Sequence, residues 1–571
     1  MKPPIRVQTS SSNFPAFIRN GSYYVDKTLL IRDIIQNDRE VNLYTRPRRF
    51  GKSLNQSMLQ AFFDVQKAEE NADLFDGLAI SRETELCRQH QGKYPVIFLS
   101  FKNCSQRDIQ NDQQALAFAV KDAINPFSQF IYEANPLLFP TRASLVQMLE
   151  CQPTSLVSPG ILKDLAAFLH QHYKQPCVIL LDEYDVPLQD AFLNGFYDEM
   201  LPFVRALMMD TFKDNPHLRW GVITGCLKIA KESIFTGLNN PYVNTILNTG
   251  PGSERFGFTA NEVEAFLEAA GLQECREIVR QWYDGYLFGE TEIYNPLSVA
   301  FFVSGTLEDP KHTPQAAGHW INTSGNDIIR SLLLSDRSAR TTRQMQELLD
   351  GGDVELPITE NTVYSEFGSD PDVLWCTMLF TGYLKPSAPV PPGAKSALMR
   401  IPNHEVHEAI AERFMSWLKK DYRPVKVGVP LLDALLDGDT GRASEHLSRL
   451  LSSLISSRNF HGEFYQAFLH GILAGASADF DVFSDYPAGD GYVDLMVAAK
   501  DYSRCVLIEV KTTAVPDRLA ETLKAAVRQF KERRYGDDTL ICAQYTRVQG
   551  YAFACSRREC LVADCLPVEK G

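Results

Sequence analysis

Three stretches of this sequence carry residues able to handle phosphate groups or a hard cation. The first is Arg46-Pro-Arg48-Arg49-Phe-Gly51-Lys52-Ser53. It ends as the phosphate-loop pattern GxxxxGK[ST] ends, with Arg46 standing where that pattern has its first glycine. In such a loop, N–H groups at a helix start draw in an anion, Lys52 would reach the outer phosphates of ATP, and the Ser53 hydroxyl would hold Mg²⁺. Arg46, Arg48 and Arg49 would add positive charge at the same place. A basic surface turn that happens to contain Gly-Lys-Ser explains the octapeptide alone equally well.

The second stretch is Cys177-Val-Ile-Leu-Leu181-Asp182-Glu183, an apolar run delivering two carboxylates to its end. Asp182 is expected to hold Mg²⁺, directly or through water, and Glu183 to polarise an attacking water. Asp185 would assist either carboxylate. Thr224 ends a later apolar run, where it either senses a γ-phosphate or is a buried threonine satisfied by backbone.

The third lies near the C-terminus, where Gly491-Tyr-Val-Asp494-Leu-Met-Val and Cys505-Val-Leu-Ile-Glu509-Val-Lys511 alternate as strands around a polar turn, Lys500 to Arg504. The two-residue period puts Glu509 and Lys511 on one face, with Val506, Ile508 and Val510 towards a core. A hairpin centred between Asp501 and Tyr502 sets Asp494 opposite Glu509. Two carboxylates so close repel unless a cation lies between them, and Mg²⁺ prefers oxygen ligands. Lys511 could orient water or stabilise charge developing on a phosphate. A hairpin with ordinary exposed charges is the plainer alternative. Glu463, on a preceding expected helix, and Gln529, on a following one, flank the hairpin.

These groups need elements to position them. Val41 to Thr45 reads as a strand entering the loop, and Leu54, Met58, Leu59, Phe62 and Phe63 continue at helical spacing. Further buried strands are expected at Tyr94 to Phe101, Cys177 to Leu181 and Leu218 to Thr224, separated by helical segments. That alternation indicates an α/β domain with a mainly parallel sheet, whose ligands bind at the carboxyl ends of its strands. Helix over Val373 to Phe380, strand over Gly382 to Leu384, a Pro-rich loop, strand over Ala397 to Ile401 and helix over Glu405 to Leu418 are the parts of a winged helix. Such a module either touches DNA or serves only for packing. A helical stretch, Leu431 to Ser456, leads into the last domain. Three parts are expected: 1–250, a P-loop ATPase domain; 251–459, a helical region with the winged helix at about 373–418; and 460–571, an α/β domain that carries the carboxylate hairpin.

The strings YYVDKTLLI (Tyr23 to Ile31), RPRRFGKS, LLDEYDVPL (Leu180 to Leu188), TGCLKIAKESIFTGLNN (Thr224 to Asn240), WYDGYLFG (Trp282 to Gly289) and YNP (Tyr294 to Pro296) occur in that order. WINTSGND (Trp320 to Asp327) and IPNHEV (Ile401 to Val406) follow. Together they resemble the bacterial AAA-ATPase-like family. The resemblance implies a P-loop ATPase core and supports the roles of Lys52, Ser53, Asp182 and Glu183; that family's loop also begins on Arg. Asp26, Lys27, Trp282, Asp284 and Asn295 match its motifs too, and buried structural roles are expected of them. From about residue 460 the chain resembles the PD-(D/E)xK nuclease superfamily, which implies Asp494 and Glu509 as metal ligands, Lys511 as catalytic lysine, and Glu463 and Gln529 as supporting residues. Tyr492 departs from that family's usual Arg before Val-Asp, which puts nucleic-acid contact in doubt more than metal binding. Arg528, Lys531, Arg533 and Arg534 form a local basic patch or, equally, a solvated helix face.

Composition bounds this reading. With 571 residues, 44% hydrophobic and 22% charged, the chain has the make-up of a soluble protein of several domains. It shows no leader-like or membrane-spanning apolar run, and its twelve cysteines include no CxxC pair, so a cytoplasmic location and no membrane partner are expected. The net charge of −14 excludes a generally basic surface but not a local basic patch. His404-Glu405-Val406-His407 is one residue short of HExxH, and Cys555, Cys560 and Cys565 lack a paired partner or a nearby His, so zinc is not expected. The expected function is ATP hydrolysis coupled to Mg²⁺-dependent cleavage of nucleic acid, DNA ahead of RNA. A nucleotide-driven switch whose nuclease fold only binds a partner is the alternative, and assembly into a homo-oligomer is left open.

Overall fold

The computed structural model describes residues 5–37, 39–150, 157–228, 241–309, 311, 313–314, 316–320, 339–359, 371–411, 428–454, 462–474, 476–477, 479–556 and 559–566. The chain divides into two compact units, Met1–Asp336 with Val354–Ala409, and Arg337–Asp353 with Ile410–Gly571. Most of the stretch expected as a separate middle region, 251–336 and 354–409, groups with the N-terminal residues in the first unit.

The first unit is built on a parallel sheet of β1 (Val41–Thr45), β2 (Val96–Ser100), β3 (Cys177–Asp182), β4 (Leu218–Gly225) and β5 (Tyr242–Asn244), in the order β2-β3-β4-β1-β5. β1 and β3 are buried along their whole length, as strands covered on both faces must be. The sequence marks the first four strands. β5 has three residues, too short to show a period. Because β4 lies between β1 and β3, the helix that follows β1, Lys52–Phe63, crosses towards β3 and buries Met58, Leu59, Phe62 and Phe63.

From Phe258 the first unit turns mainly helical, around a small antiparallel sheet of β6 (Phe258–Thr259), β7 (Tyr286–Phe288) and β8 (Thr291–Tyr294). Thr259 and Glu262 form a reciprocal cap on helix Ala260–Ala270, and Asn295 caps helix Pro296–Glu308. Asn295 is thus the structural residue expected. Asp26 accepts from Thr28 N and Ala79 N, and Lys27 is buried against Glu262 at 2.6 Å. Trp282 packs on His404, and Asp284 is buried.

The expected helix, hairpin and helix appear as Pro371–Thr381, β10 (Lys385–Pro386) paired with β11 (Ser396–Arg400), and a helix from residue 404; a further strand, β9 (Val354–Pro357), pairs with β11. The strand expected at Gly382 to Leu384 is instead the turn that ends the helix. Gly382 adopts φ 93°, and the N–H groups of Tyr383 and Leu384 both donate to Met378 O. Val373, Leu374, Trp375, Met378, Leu379 and Phe380 are all buried, so this helix packs on every side. Residues 412–418 of the second expected helix lie outside the described residues.

In the second unit, helices Val429–Asp437 and Thr440–Leu454 divide the expected Leu431 to Ser456 stretch at Gly438, and Gly462–Ala474 follows. The sheet runs β12-β13-β14-β15-β16, from β12 (Phe480–Ala488), β13 (Gly491–Ala499), β14 (Arg504–Thr512), β15 (Arg547–Ser556) and β16 (Glu559–Asp564). Only β14 and β15 are parallel, and helix Leu519–Glu532 makes the crossover between them. Val506 and Ile508 face Leu447 and Leu469 on one side, and Leu507 faces Ala526 and Phe530 on the other. Among the described residues no helix is long and apolar enough to cross a membrane.

Candidate active sites

The phosphate loop connects β1 to helix Lys52–Phe63. Gly51 takes the left-handed conformation at φ 82°, where a side chain would be strained, and so lets Lys52 start the helix immediately. Arg49, at φ 69°, and Glu183, at φ 55°, hold left-handed conformations without being glycine. Such residues cluster where a backbone is held for function.

Asp182 is the hub. Its Oδ2 accepts from Ser53 Oγ at 2.6 Å and its Oδ1 from Thr224 Oγ1 at 2.6 Å. Thr224 in turn accepts from Gln56 Nε2, which also donates to Leu181 O and Val222 O and so ties β3 to β4. Gln56 gave no motif signal. Thr224 is therefore a buried threonine committed to Asp182. Lys52 Nζ donates to the loop's own carbonyls, Arg46 O and Pro47 O, both at 2.9 Å. Burial first, then the charge of Asp182, raises the carboxyl of Glu183, while Lys52 draws it down. Asp185 accepts from Cys226 N and Leu227 N, which fixes the turn after β4 and commits it away from the two carboxylates it was expected to assist.

A cavity of about 530 Å³ opens on this loop, lined by Arg48, Arg49, Gly51, Lys52, Ser53 and Glu183, with Tyr23, Phe258 and Phe266 on another wall. Its size and mixed lining suit a nucleotide. Arg46 does not line it. Its guanidinium is wholly buried, donates to Thr45 O, Asn244 O, the Asn244 side chain and Gly252 O, and lies over the Phe256 and Phe288 rings. Burial lowers its pKa to about 10. Arg46 thus braces the loop from behind instead of contributing to the phosphate-facing surface. The Ser53 hydroxyl and Asp182 carboxylate are hard oxygens already in contact, the donor set a Mg²⁺ shared with phosphates would take up.

In the second unit the ladder pairs Leu495 with Ile508 and Ala498 with Cys505, the register the sequence predicts. One step further Asp494 leaves the ladder, and its Oδ2 accepts from Val510 N at 2.6 Å. Glu509, 2% exposed, has an Oε2 with no hydrogen-bond partner. A buried carboxylate oxygen is costly to leave so, and a cation would satisfy it. Burial, then the charge of Asp494, pushes the Glu509 carboxyl up to about 8, with Lys511 and Arg533 acting the other way. Asp494 is raised as well, first by burial. Lys511 Nζ donates to Gln529 Oε1 at 2.6 Å, so Gln529 aims the ammonium. Asp494, Glu509 and Lys511 are brought together as the spacing implies.

Glu463 falls in helix Gly462–Ala474, and its side chain lies outside the described residues. From the same helix Gln466 donates to Asp494 O and to Asp485, a contact that carried no spacing signal. Of the basic patch, Arg534 is paired with Asp490 at 2.7 Å, and Tyr492 is 67% exposed. Among the described residues no three His, Cys, Asp or Glu side chains converge as a complete metal cage, so phosphate or water would have to complete either cation's shell. Mg²⁺, when bound, supplies charge neutralisation and an acidified water. Beside it Asp494 and Glu509 would hold position, and Lys511 would stabilise charge on a phosphate oxygen.

Comparison with known proteins agrees with this geometry. Residues 8–235 match the family model described as predicted AAA-ATPase, and residues 461–564 match that of the PD-(D/E)XK nuclease superfamily. An uncharacterized protein in vnfD 5'region of Azotobacter chroococcum mcd 1 is 27% identical over 445 residues, 77% of this chain and 75% of that protein. The chain therefore carries an N-terminal domain of the AAA-ATPase-like family and a C-terminal domain of the PD-(D/E)XK nuclease superfamily.

Proposed function

We propose that this protein binds and hydrolyses ATP with Mg²⁺ at Lys52, Ser53, Asp182 and Glu183, and cleaves nucleic acid phosphodiesters with Mg²⁺ at Asp494, Glu509 and Lys511. The observation that carries the nuclease half is the buried, unpartnered Glu509 Oε2 beside Asp494, an arrangement that a divalent cation would neutralise. A lysine held by Gln529 at the same edge gives a scissile phosphate its counter-charge. DNA is the preferred substrate of this reading, ahead of RNA, and the cytoplasm its setting.

A second reading has its own support. Tyr492 is exposed at the position where the resemblance to the nuclease superfamily implies an Arg, and Arg534 is neutralised by Asp490. Both weaken the pull on a polyanion, as in a nucleotide-driven switch whose nuclease fold only binds a partner. Incubating the purified protein with DNA and RNA panels, with and without ATP and Mg²⁺, separates the two. Mg²⁺-dependent cleavage supports the enzyme, and ATP hydrolysis without cleavage of any substrate supports the switch.

A further inference from the structure

The phosphate loop is gripped from two directions. The sheet holds one side, where Arg46 N donates to Gly225 O at 3.0 Å. The other contacts come from residues far along the chain. Gly257 N donates to Phe50 O at 3.2 Å, and the Phe50 ring meets Tyr286 edge-on at 4.9 Å. Gly382, at φ 93°, lies so close that an added Cβ would come within 2.9 Å of Pro47. Trp320 Nε1 donates to Arg48 O at 3.0 Å.

Trp320 is itself anchored with care. Its backbone N–H and that of His319 donate to Glu405 Oε1 at 2.7 and 2.6 Å. Ser298 Oγ supplies a further donor to Glu405, which is wholly buried. Three donors, none of them a cation, thus satisfy a buried carboxylate whose product is the placement of one indole. The Trp320 ring also packs on Tyr383, the neighbour of Gly382, with centroids 5.0 Å apart.

The polar contact falls at a sensitive link. The Arg48 carbonyl belongs to the peptide that leads into Arg49, whose φ of 69° is unfavourable for a non-glycine residue. Turning that peptide over would relieve the strain and swing a carbonyl oxygen towards the place a phosphate must occupy. The indole N–H opposes that turn.

We propose that Trp320, held by Glu405, is a positioning residue of the nucleotide site, fixing the Arg48 carbonyl so that the loop keeps the shape that receives a triphosphate. The proposal rests on ATP binding at Lys52. It makes Gly257, Trp320, Gly382 and Glu405 part of the nucleotide site, although none of them belongs to the loop or acidic motifs.

The test measures ATP binding and steady-state turnover of the full chain with Mg²⁺, as wild type, Trp320→Phe and Ser298→Ala. Trp320→Phe keeps a ring while losing the donor and part of a fully buried indole, so Kd and KM for ATP should rise about fivefold to tenfold. At the same time kcat should stay within about twofold, because Glu183 and Asp182 are untouched, while the melting temperature should fall only as the smaller buried ring requires, whether or not nucleotide is present. Ser298→Ala, which loosens Glu405 alone, should give a smaller rise in the same direction. Wild-type Kd and KM in a folded Trp320→Phe protein would overturn the proposal while leaving the ATP site intact. If Trp320→Phe does not fold, an unchanged Kd in Ser298→Ala overturns it. A wild-type protein that binds no ATP overturns the nucleotide reading, and this proposal with it.

Discussion

Replacing Glu509 by Gln should stabilise the metal-free protein and remove its response to Mg²⁺, two effects of opposite sign from one substitution. The folded protein keeps a proton on Glu509 up to about pH 8, whereas the unfolded chain gives it up near the ordinary value of 4.5. A raised acid pKa works against the folded state as pH rises: stability is unaffected below about 4.5, falls through the window from there to about 8, and then levels off. By pH 7 the loss is on the order of 3 kcal/mol, at 1.36 kcal/mol for each pH unit above the ordinary value. Gln imitates the protonated acid and does not incur this loss. Allowing for relaxation around a buried amide, a gain of about 1–2 kcal/mol remains, or roughly 3–6 °C in the unfolding of a unit of this size. Mg²⁺ needs the carboxylate, so it should stabilise wild type by about 2.7 kcal/mol at a hundred times its Kd, more strongly towards pH 8 than at pH 6, and should leave Glu509→Gln unmoved. Thermal melts at pH 5.5, 7 and 8.5, with and without Mg²⁺, read all of this. Equal pH slopes for the two proteins, or equal stabilisation of both by Mg²⁺, would refute the reasoning.

Other consequences follow from the same geometry. Lys52→Ala should abolish ATP binding or turnover, while Glu183→Gln should bind ATP and hydrolyse it at least about a hundredfold more slowly, as nucleotide binding and single-turnover assays would reveal. Arg46→Met should destabilise the first unit by about 3–5 kcal/mol by leaving Asn244 and Gly252 acceptors buried and unpaired, a loss visible in denaturant titration whether or not nucleotide is present. If nucleotide state controls the nuclease, cleavage by Glu183→Gln with ATP should differ at least severalfold from cleavage by Lys52→Ala, because about 1.4 kcal/mol suffices for a tenfold change in a minor population. Equal rates under saturating nucleotide would mean that the two domains act independently.

Much of each site was legible because it is local. Gly51-Lys52-Ser53 between a strand and a helix, and Asp182 at the end of a wholly buried strand, are set by neighbours in sequence, and the hairpin fixes Asp494 against Glu509 by period and turn alone. Arg46 was misread for the same reason: its motif position says loop, but only the distant Asn244, Gly252, Phe256 and Phe288 show that its charge is spent inside the protein. Gln56 and Gln466 escaped notice, and Trp320 stood in a family string with no role assigned, because each works on a backbone carbonyl, a partner that leaves no residue-type signature. The Gly382 to Leu384 strand failed because a helix-ending turn and a short strand share their apolar residues, and φ at Gly382 decides between them.

The central claim is that Asp494, Glu509 and Lys511 form a cation-dependent phosphodiesterase centre, and the most direct measurement compares DNA cleavage by wild type, Asp494→Ala and Lys511→Ala in Mg²⁺ and in Mn²⁺. The account predicts cleavage by wild type that stops on chelation, none by Asp494→Ala, and a loss of about a hundredfold or more in Lys511→Ala with Mg²⁺ binding retained. No cleavage by wild type with either metal, or equal cleavage by Asp494→Ala, would contradict it.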